Sequence, residues 1–201
     1  MSRILIINGH HPYPFSEGKL NAALVDRARA FFEAQGDEVQ ISASAGDYDV
    51  AEEVAKHVWA DVVLLQYPVN WMGTPWSLKK YQDEVYTAGM GGELCTGDGR
   101  TTSRPTEGYG TGGTKEGAKY MLSVTYNAPK EAFDNPQDWF TRGTSVDDML
   151  LPTHLNFRFF NMEKLPTFVA YDVMKNPTIA ADFARFDAHL QAAFGKVTEL
   201  A

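Results

Sequence analysis

The chain has 201 residues, 44% of them hydrophobic and 22% charged, with a single cysteine and a formal net charge of -8. This apolar share excludes intrinsic disorder, and the length fits a single domain over residues 1–201. The acidic balance disfavours nucleic acid and anionic membranes, no apolar run reaches the roughly 18 residues of a membrane helix, no basic-then-apolar leader opens the chain, and the lone Cys95 can form no internal disulfide, so a cytoplasmic protein is expected.

Arg3-Ile-Leu-Ile-Ile-Asn8 is a β-branched apolar run, the pattern of a central strand buried on both faces. Leu20, Leu24, Ala28, Phe31 and Phe32 then repeat at helical spacing up to the terminator Gly36, and Glu38 to Ser42 reads as a second strand. Asp49 caps a helix through Val50, Val54 and Val58; Asp61 to Tyr67 is a third strand and Trp76 to Val85 another helix. A Gly/Thr/Asp-rich stretch at about 87–117 lacks apolar period and is too long for an ordinary connection, which marks a functional loop insertion. Tyr120 to Val124 is a fourth strand, a helix is expected around Val146 to Phe160 with Pro152 inside it, and Pro166 to Ala170 is a fifth strand. The last helix has Asn176 as its cap, Pro177 at its first position, and a face of Ile179, Phe183, Phe186, Leu190 and Phe194.

This alternation predicts an α/β fold: a flavodoxin-like open twisted five-stranded parallel sheet of order 2-1-3-4-5, helices on both faces, with ligands held at the carboxyl ends of the strands. The loops after Asn8, Tyr67 and Val124 converge there. The first has no G-x-G-x-x-G turn, which disfavours a dehydrogenase of the dinucleotide-binding type. It does place Ser16, Gly18 and Lys19 at a helix start, where N–H groups, a hydroxyl and an ammonium suit a phosphate; the alternative is that Ser16 caps the helix and Lys19 is solvated. In the second loop Pro68 and Pro75 stiffen the backbone, Trp71 and Met72 offer an apolar wall for a planar heterocycle, and Trp76 packs between helices. The third, Thr125-Tyr-Asn-Ala-Pro129, offers polar donors or is an ordinary turn. Other signals carry no chemistry: Gly108 to Lys115 has Gly-Thr-Lys where a phosphate loop needs Gly-Lys-Ser/Thr, the five histidines lack metal spacing so no metal is expected, and Cys95 in its polar loop is a bystander.

Tyr67-Pro-x-x-Trp-x-Gly-x-Pro-x-x-Leu-Lys-Lys-Tyr81 with His11 through Asn21 resembles the flavodoxin-like NAD(P)H quinone oxidoreductase family. Asp98-Gly-Arg100, Tyr109-Gly-x-Gly-Gly113, Lys119-Tyr-Met-Leu-Ser123 and Leu165-Pro-Thr-Phe168 are similar to its modulator of drug activity B branch, and the likeness spans almost the whole chain. The resemblance implies a homodimer with active sites near its interface, in which bound FAD passes a hydride from NADPH, less readily NADH, to quinones. It assigns Ser16, Gly18, Lys19, Leu20 and Asn21 to the FAD diphosphate side, with Ala22 and Ala23 as further cofactor-binding positions, Val69, Asn70, Trp71 and Met72 to the isoalloxazine, and Thr125, Tyr126, Asn127 and Ala128 to its pyrimidine edge. Tyr109 is a further cofactor contact, to the flavin of either subunit. Tyr126 and Asn127 are the candidate catalytic residues, as donors toward the charge that reduction develops. One flat pocket cannot hold nicotinamide and quinone together, so a ping-pong order is expected. The branch has Gly-Trp where Val69-Asn70 stands and Trp at Tyr126, which bears on substrate pocket width. The competing functions are a flavodoxin-type electron carrier, which the long insertion and the aromatic loop disfavour, and an ancillary regulatory flavoprotein.

Overall fold

A computed structural model describes residues 1–195. Strands β1 (Arg3–Asn8), β2 (Glu38–Ala43), β3 (Val62–Pro68) and β4 (Lys119–Thr125) alternate with helices α1 (Lys19–Ala34), α2 (Val50–Trp59) and α3 (Trp76–Ala88). Helices α4 (Val146–Met149) and α5 (Leu151–Phe159), strands β5 (Glu163–Lys164) and β6 (Phe168–Ala170), and helix α6 (Ile179–Phe194) complete the order. The sheet is parallel, β2-β1-β3-β4-β5, with β6 also pairing β4. This is the expected flavodoxin-like order.

The central strands are apolar on both sides because both sides are covered. Leu5, Ile7, Val63, Leu65, Leu122 and Val124 pack in one buried cluster with Val54 of α2, Tyr81 and Val85 of α3, and Phe157 of α5. Ile4, Ile6, Val62, Leu64 and Met121 form the other, with Leu24, Ala28 and Phe32 of α1 and Phe186 and Leu190 of α6. Period-two alternation along each strand thus feeds two cores. Asp49 caps α2 as expected, accepting from the Glu52 N–H at 3.0 Å, and Lys115 closes the far end of that helix by donating to the Val58 and Ala60 carbonyls at 2.7 and 3.0 Å. No helix among the described residues is long and apolar enough to cross a membrane.

Four local expectations are corrected. The fifth strand is split: Pro166 has no N–H to pair, so the edge runs as β5 before it and β6 after it, with Leu165 N–H still reaching the Tyr120 carbonyl at 2.8 Å. The helix expected over Val146 to Phe160 is two helices, with Leu150 ending α4 and preceding α5, which carries Pro152 in its first turn. Asn176 does not cap α6; its N–H closes a turn onto the Asp172 carbonyl at 3.2 Å, and the helical bonds begin at Thr178, whose carbonyl accepts from Asp182 at 2.8 Å. Cys95 does not lie in polar surroundings, but is fully buried in the core beneath the insertion.

Between α2 and α3 lies a buried polar chain. His57 Nε2 is 3.2 Å from Tyr81 Oη, which donates to Glu53 Oε2 at 2.7 Å, and Lys56 Nζ bonds the same carboxylate at 2.5 Å. Burial lowers the His57 pKa to about 4, so the ring is neutral in the folded protein at neutral pH. In the unfolded chain it takes a proton near the ordinary value of about 6.5. The unfolded state therefore binds more protons between these values, and the stability this ring contributes is complete above about pH 6.5 and is lost as pH falls toward 4. Urea unfolding at pH 4.5 and 7.5 should show a loss on the order of 3 kcal/mol, and His57→Phe should flatten that slope.

Candidate functional site

The site is built where β1, β3 and β4 end. Their following loops, with the segment leading into α6, enclose a cavity of about 690 Å3. Its floor is held by Gln66, fully buried on β3: its backbone carbonyl accepts from Gly9 N–H at 2.7 Å, its Nε2 donates to Asn21 Oδ1 at 2.8 Å, and its Oε1 accepts from Ser123 Oγ at 2.6 Å. One side chain thereby ties the first turn of α1 to β3 and β4. Gly9 is required at this junction, because a Cβ there would lie 2.5 Å from Leu78 Cδ2.

The α1 start is open to a ligand. Its cap is Gly18, at φ 82 with no side-chain capping bond, and the first intrahelical bond is Ala22 N–H to the Gly18 carbonyl at 2.9 Å. The N–H groups of Lys19, Leu20 and Asn21 precede that bond, at the positive end of the helix. Ser16 does not cap the helix; it closes a small bridge with Tyr13 through reciprocal bonds of 3.0 and 2.9 Å. Lys19 is exposed and ion-paired with Glu17 at 2.6 Å. His10 packs on Gly18, is only 8% exposed and lines the cavity, with Nε2 buried and unpartnered; His11 Nδ1 is likewise unpartnered. Burial lowers the His10 pKa, the Ser16 backbone opposes this, and neighbouring His11 adds to the lowering.

The second wall is the loop after β3. Asn70 and Gly73 exchange two backbone bonds of 3.0 Å, closing a turn whose central residues, Trp71 and Met72, take φ of 48° and 63°. Such a turn demands left-handed backbone at both positions, normally filled by Gly or Asn, so this pair carries strain. The turn lifts Trp71 to the rim, 97% exposed, while Pro68, Val69 and Asn70 line the cavity beneath it. Trp76 is not packed between helices as expected but is 58% exposed, with His11 against its ring at 4.6 Å.

The third wall is the loop after β4, where Thr125 and Asn127 line the cavity. Tyr126 is turned the other way: it is 6% exposed, its hydroxyl donates to Met149 Sδ at 2.7 Å, and its N–H and carbonyl are used by Ala170 and Val173 at 2.8 and 3.1 Å. Burial raises the Tyr126 pKa to about 12, so the phenol stays protonated and holds that bond. Of the expected site residues, Ser16, Gly18, Lys19, Leu20, Asn21, Val69, Asn70, Trp71, Thr125 and Asn127 come together around the cavity. Ala22, Ala23, Met72, Tyr126 and Ala128 stand behind or beside it, and Tyr109 is 73% exposed on the insertion, against Phe159 at 6.1 Å. Sequence reasoning missed His10, His11 and Tyr13 as lining groups, and Val173, Met174 and Ile179 at the far end. The histidines were legible as part of the loop after β1; the last three depend on the approach to α6 and had no local signal.

A Cβ at Gly18 would sit 2.4 Å from the His10 ring and would need φ of +82°. Gly18→Ala should therefore cost about 1 to 3 kcal/mol in denaturant unfolding and displace His10, whose ring resonances report the change by NMR.

The chain was compared with known families and proteins. Residues 2–193 match the Flavodoxin_2 family model, described as a flavodoxin-like fold. The NADPH:quinone oxidoreductase MdaB of Haemophilus influenzae is 42% identical over 192 residues, 96% of this chain and 99% of that protein. Among solved structures, a Klebsiella pneumoniae protein assigned as a quinone reductase superposes with a TM-score of 0.75 at 25% identity, covering 96% of this chain and 85% of that one. General stress protein 14 of Treponema denticola, solved in complex with FMN, superposes with a TM-score of 0.64 at 22% identity over 96% of this chain and 99% of that one, a likeness of fold. By the family model and by its close relative, this chain belongs to the Flavodoxin_2 family of flavodoxin-like proteins, on the branch that includes the NADPH:quinone oxidoreductase MdaB.

Proposed function

We propose that the protein is an FAD-dependent NADPH:quinone oxidoreductase that works as a homodimer by a ping-pong mechanism. The observation that carries this reading is the cavity itself, which joins an uncapped helix start to an apolar wall and a polar edge in one enclosure of about 690 Å3. Its polar lining fits a flavin carrying a diphosphate: the buried His10 ring, with an unpartnered nitrogen, packs on Gly18 at the open start of α1, and His11 lines the same cavity. The cavity also runs on past the helix start to Val173, Met174 and Ile179, an apolar extension that suits the adenosine of FAD. The identity to MdaB over nearly its whole length supports the same activity.

Bound flavin supplies a two-electron carrier between the two substrates. The chain's residues do the rest. Ser16 and the segment Gly18 to Ala23 hold the diphosphate side, with Ala22 and Ala23 completing the helix turn whose dipole faces it. Val69 and Asn70, with Trp71 and Met72 at the turn, would flank the ring, and Thr125 and Asn127 would bond its polar edge. Asn127 is the catalytic residue of this set, the amide that would donate where negative charge develops on the bound flavin. Tyr126 acts as a positioning residue, since its hydroxyl and backbone bonds brace the loop that presents Asn127, with Ala128 bonded to Asp172 on the same loop at 3.0 Å. Tyr109 is exposed on the insertion and does not line its own chain's cavity, which suits contact with the cofactor of the partner subunit. The balance is one NADPH, one proton and one quinone giving NADP+ and the hydroquinone. Nicotinamide and quinone are both planar and need the same ring face, so oxidised nucleotide leaves before quinone enters. With one thiol buried in the core and no membrane-crossing helix among the described residues, a cytoplasmic setting is consistent with this chemistry.

Purified protein should reduce menadione with NADPH without any partner protein, and double-reciprocal plots at several fixed quinone concentrations should be parallel. A requirement for a protein acceptor would favour an electron carrier, and converging lines would contradict the alternation. Trp71→Ala should lower flavin retention or turnover about tenfold with little change in unfolding free energy, since the indole is exposed. Trp59→Ala, at a half-buried position against the core, should instead cost about 2 to 4 kcal/mol of stability with flavin retained.

A further inference from the structure

Beside the cofactor cavity lies a second basin of about 580 Å3, open to solvent. Tyr13, Asn70 and Trp71 line both, so the strained turn at Trp71 forms the ridge between them. The far side of the basin is the start of α3, which contributes Trp76, Lys79, Lys80 and the carboxylate of Asp83. Trp76 is braced by His11 on one side and remains more than half exposed, a surface on which a planar base can stack.

The two lysines stand out in a chain with a net charge of -8. Lys79 is paired with Asp83, and Lys80 with Glu84 at 2.7 Å and Tyr48 Oη at 3.3 Å. Each ammonium has three donors, so these bonds hold the heads in place and leave capacity for another acceptor. Both are about half exposed, so a phosphate reaches them without desolvating a buried charge. An aromatic surface next to a pair of cations matches a phosphorylated nucleoside. The basin also adjoins the place where the proposed reaction needs the nicotinamide ring, so the remainder of the donor has to leave over the Trp71 ridge or beside it.

We propose that this basin takes the phosphorylated adenosine end of the nucleotide donor, with the base against Trp76 and the 2′-phosphate on Lys79 and Lys80, and that these lysines set the preference for NADPH over NADH. The proposal rests on the reading of the protein as a pyridine-nucleotide-dependent quinone reductase. The test uses flavin-loaded protein and 2′,5′-ADP as probe, with 5′-ADP as the analogue lacking the 2′-phosphate. Calorimetry should show 2′,5′-ADP binding to the native protein, about tenfold weaker binding to the variant carrying Lys79→Gln and Lys80→Gln, and recovery with arginine at both positions. The ratio of kcat/KM for NADPH over NADH should fall about tenfold in the glutamine variant. Failure of 2′,5′-ADP to bind, as when a second copy of the chain fills the basin, or equal binding to native protein and variant, would overturn the proposal. An unchanged nucleotide ratio with turnover intact would also overturn it while leaving the quinone reductase reading in place. Absence of turnover with either nucleotide would count against that reading, and the binding measurement would still decide the basin.

Discussion

Gln66 lies fully buried between β1 and β4, where an unsatisfied amide would cost about 1 to 3 kcal/mol. It is satisfied by Asn21 from α1 and Ser123 from β4, while its backbone carbonyl holds Gly9. These bonds make the helix start, the first loop and the sheet edge one rigid unit. Asn21, expected from the resemblance to hold cofactor, uses its side-chain oxygen in this joint, so what it can offer a ligand is N–H donors alone, from its backbone and its side-chain amide. Rigidity of this kind is what an anion site at a helix terminus requires, because the N–H groups must already point at one place.

The rim of the cavity is built differently from its floor. The turn at Trp71 and Met72 accepts left-handed backbone at two bulky residues, and the bridge between Tyr13 and Ser16 holds Phe15 out in solvent, stacked on Tyr13 at 5.4 Å. Exposed aromatics and a strained turn both oppose stability, and they occur together at the edge where strands end. Such features persist where function maintains them. The floor, by contrast, is tied together through the fully paired amide of Gln66, which separates a braced base from an aromatic mouth.

The parallel sheet was legible because Ile4 to Ile7 and Val62 to Leu65 are apolar at every position, a pattern only a doubly covered strand needs. The α1 start was legible from Ser16, Gly18 and Lys19, although the roles changed: Gly18 is the cap and Ser16 closes a bridge. The split edge strand was not, because two short pairings around Pro166 leave no periodic signal. Nor was the direction of Tyr126, since which side of a strand end faces the cavity depends on Met149, 23 residues away. The burial of Cys95 was not legible either, because its sequence neighbours are polar and the contacts that bury it come from Gly113 and the core. Local pattern therefore located the loops, and contacts distant in sequence decided which side chains those loops present.

The account joins an uncapped helix start, a pair of unpartnered histidine nitrogens and an apolar extension toward α6 into one cavity for a flavin dinucleotide. The most direct measurement is the mass and absorbance spectrum of the cofactor released by heating the purified protein. The account predicts FAD in near-equal amount to the chain. Release of FMN, or of no flavin from protein refolded with FAD, would contradict it.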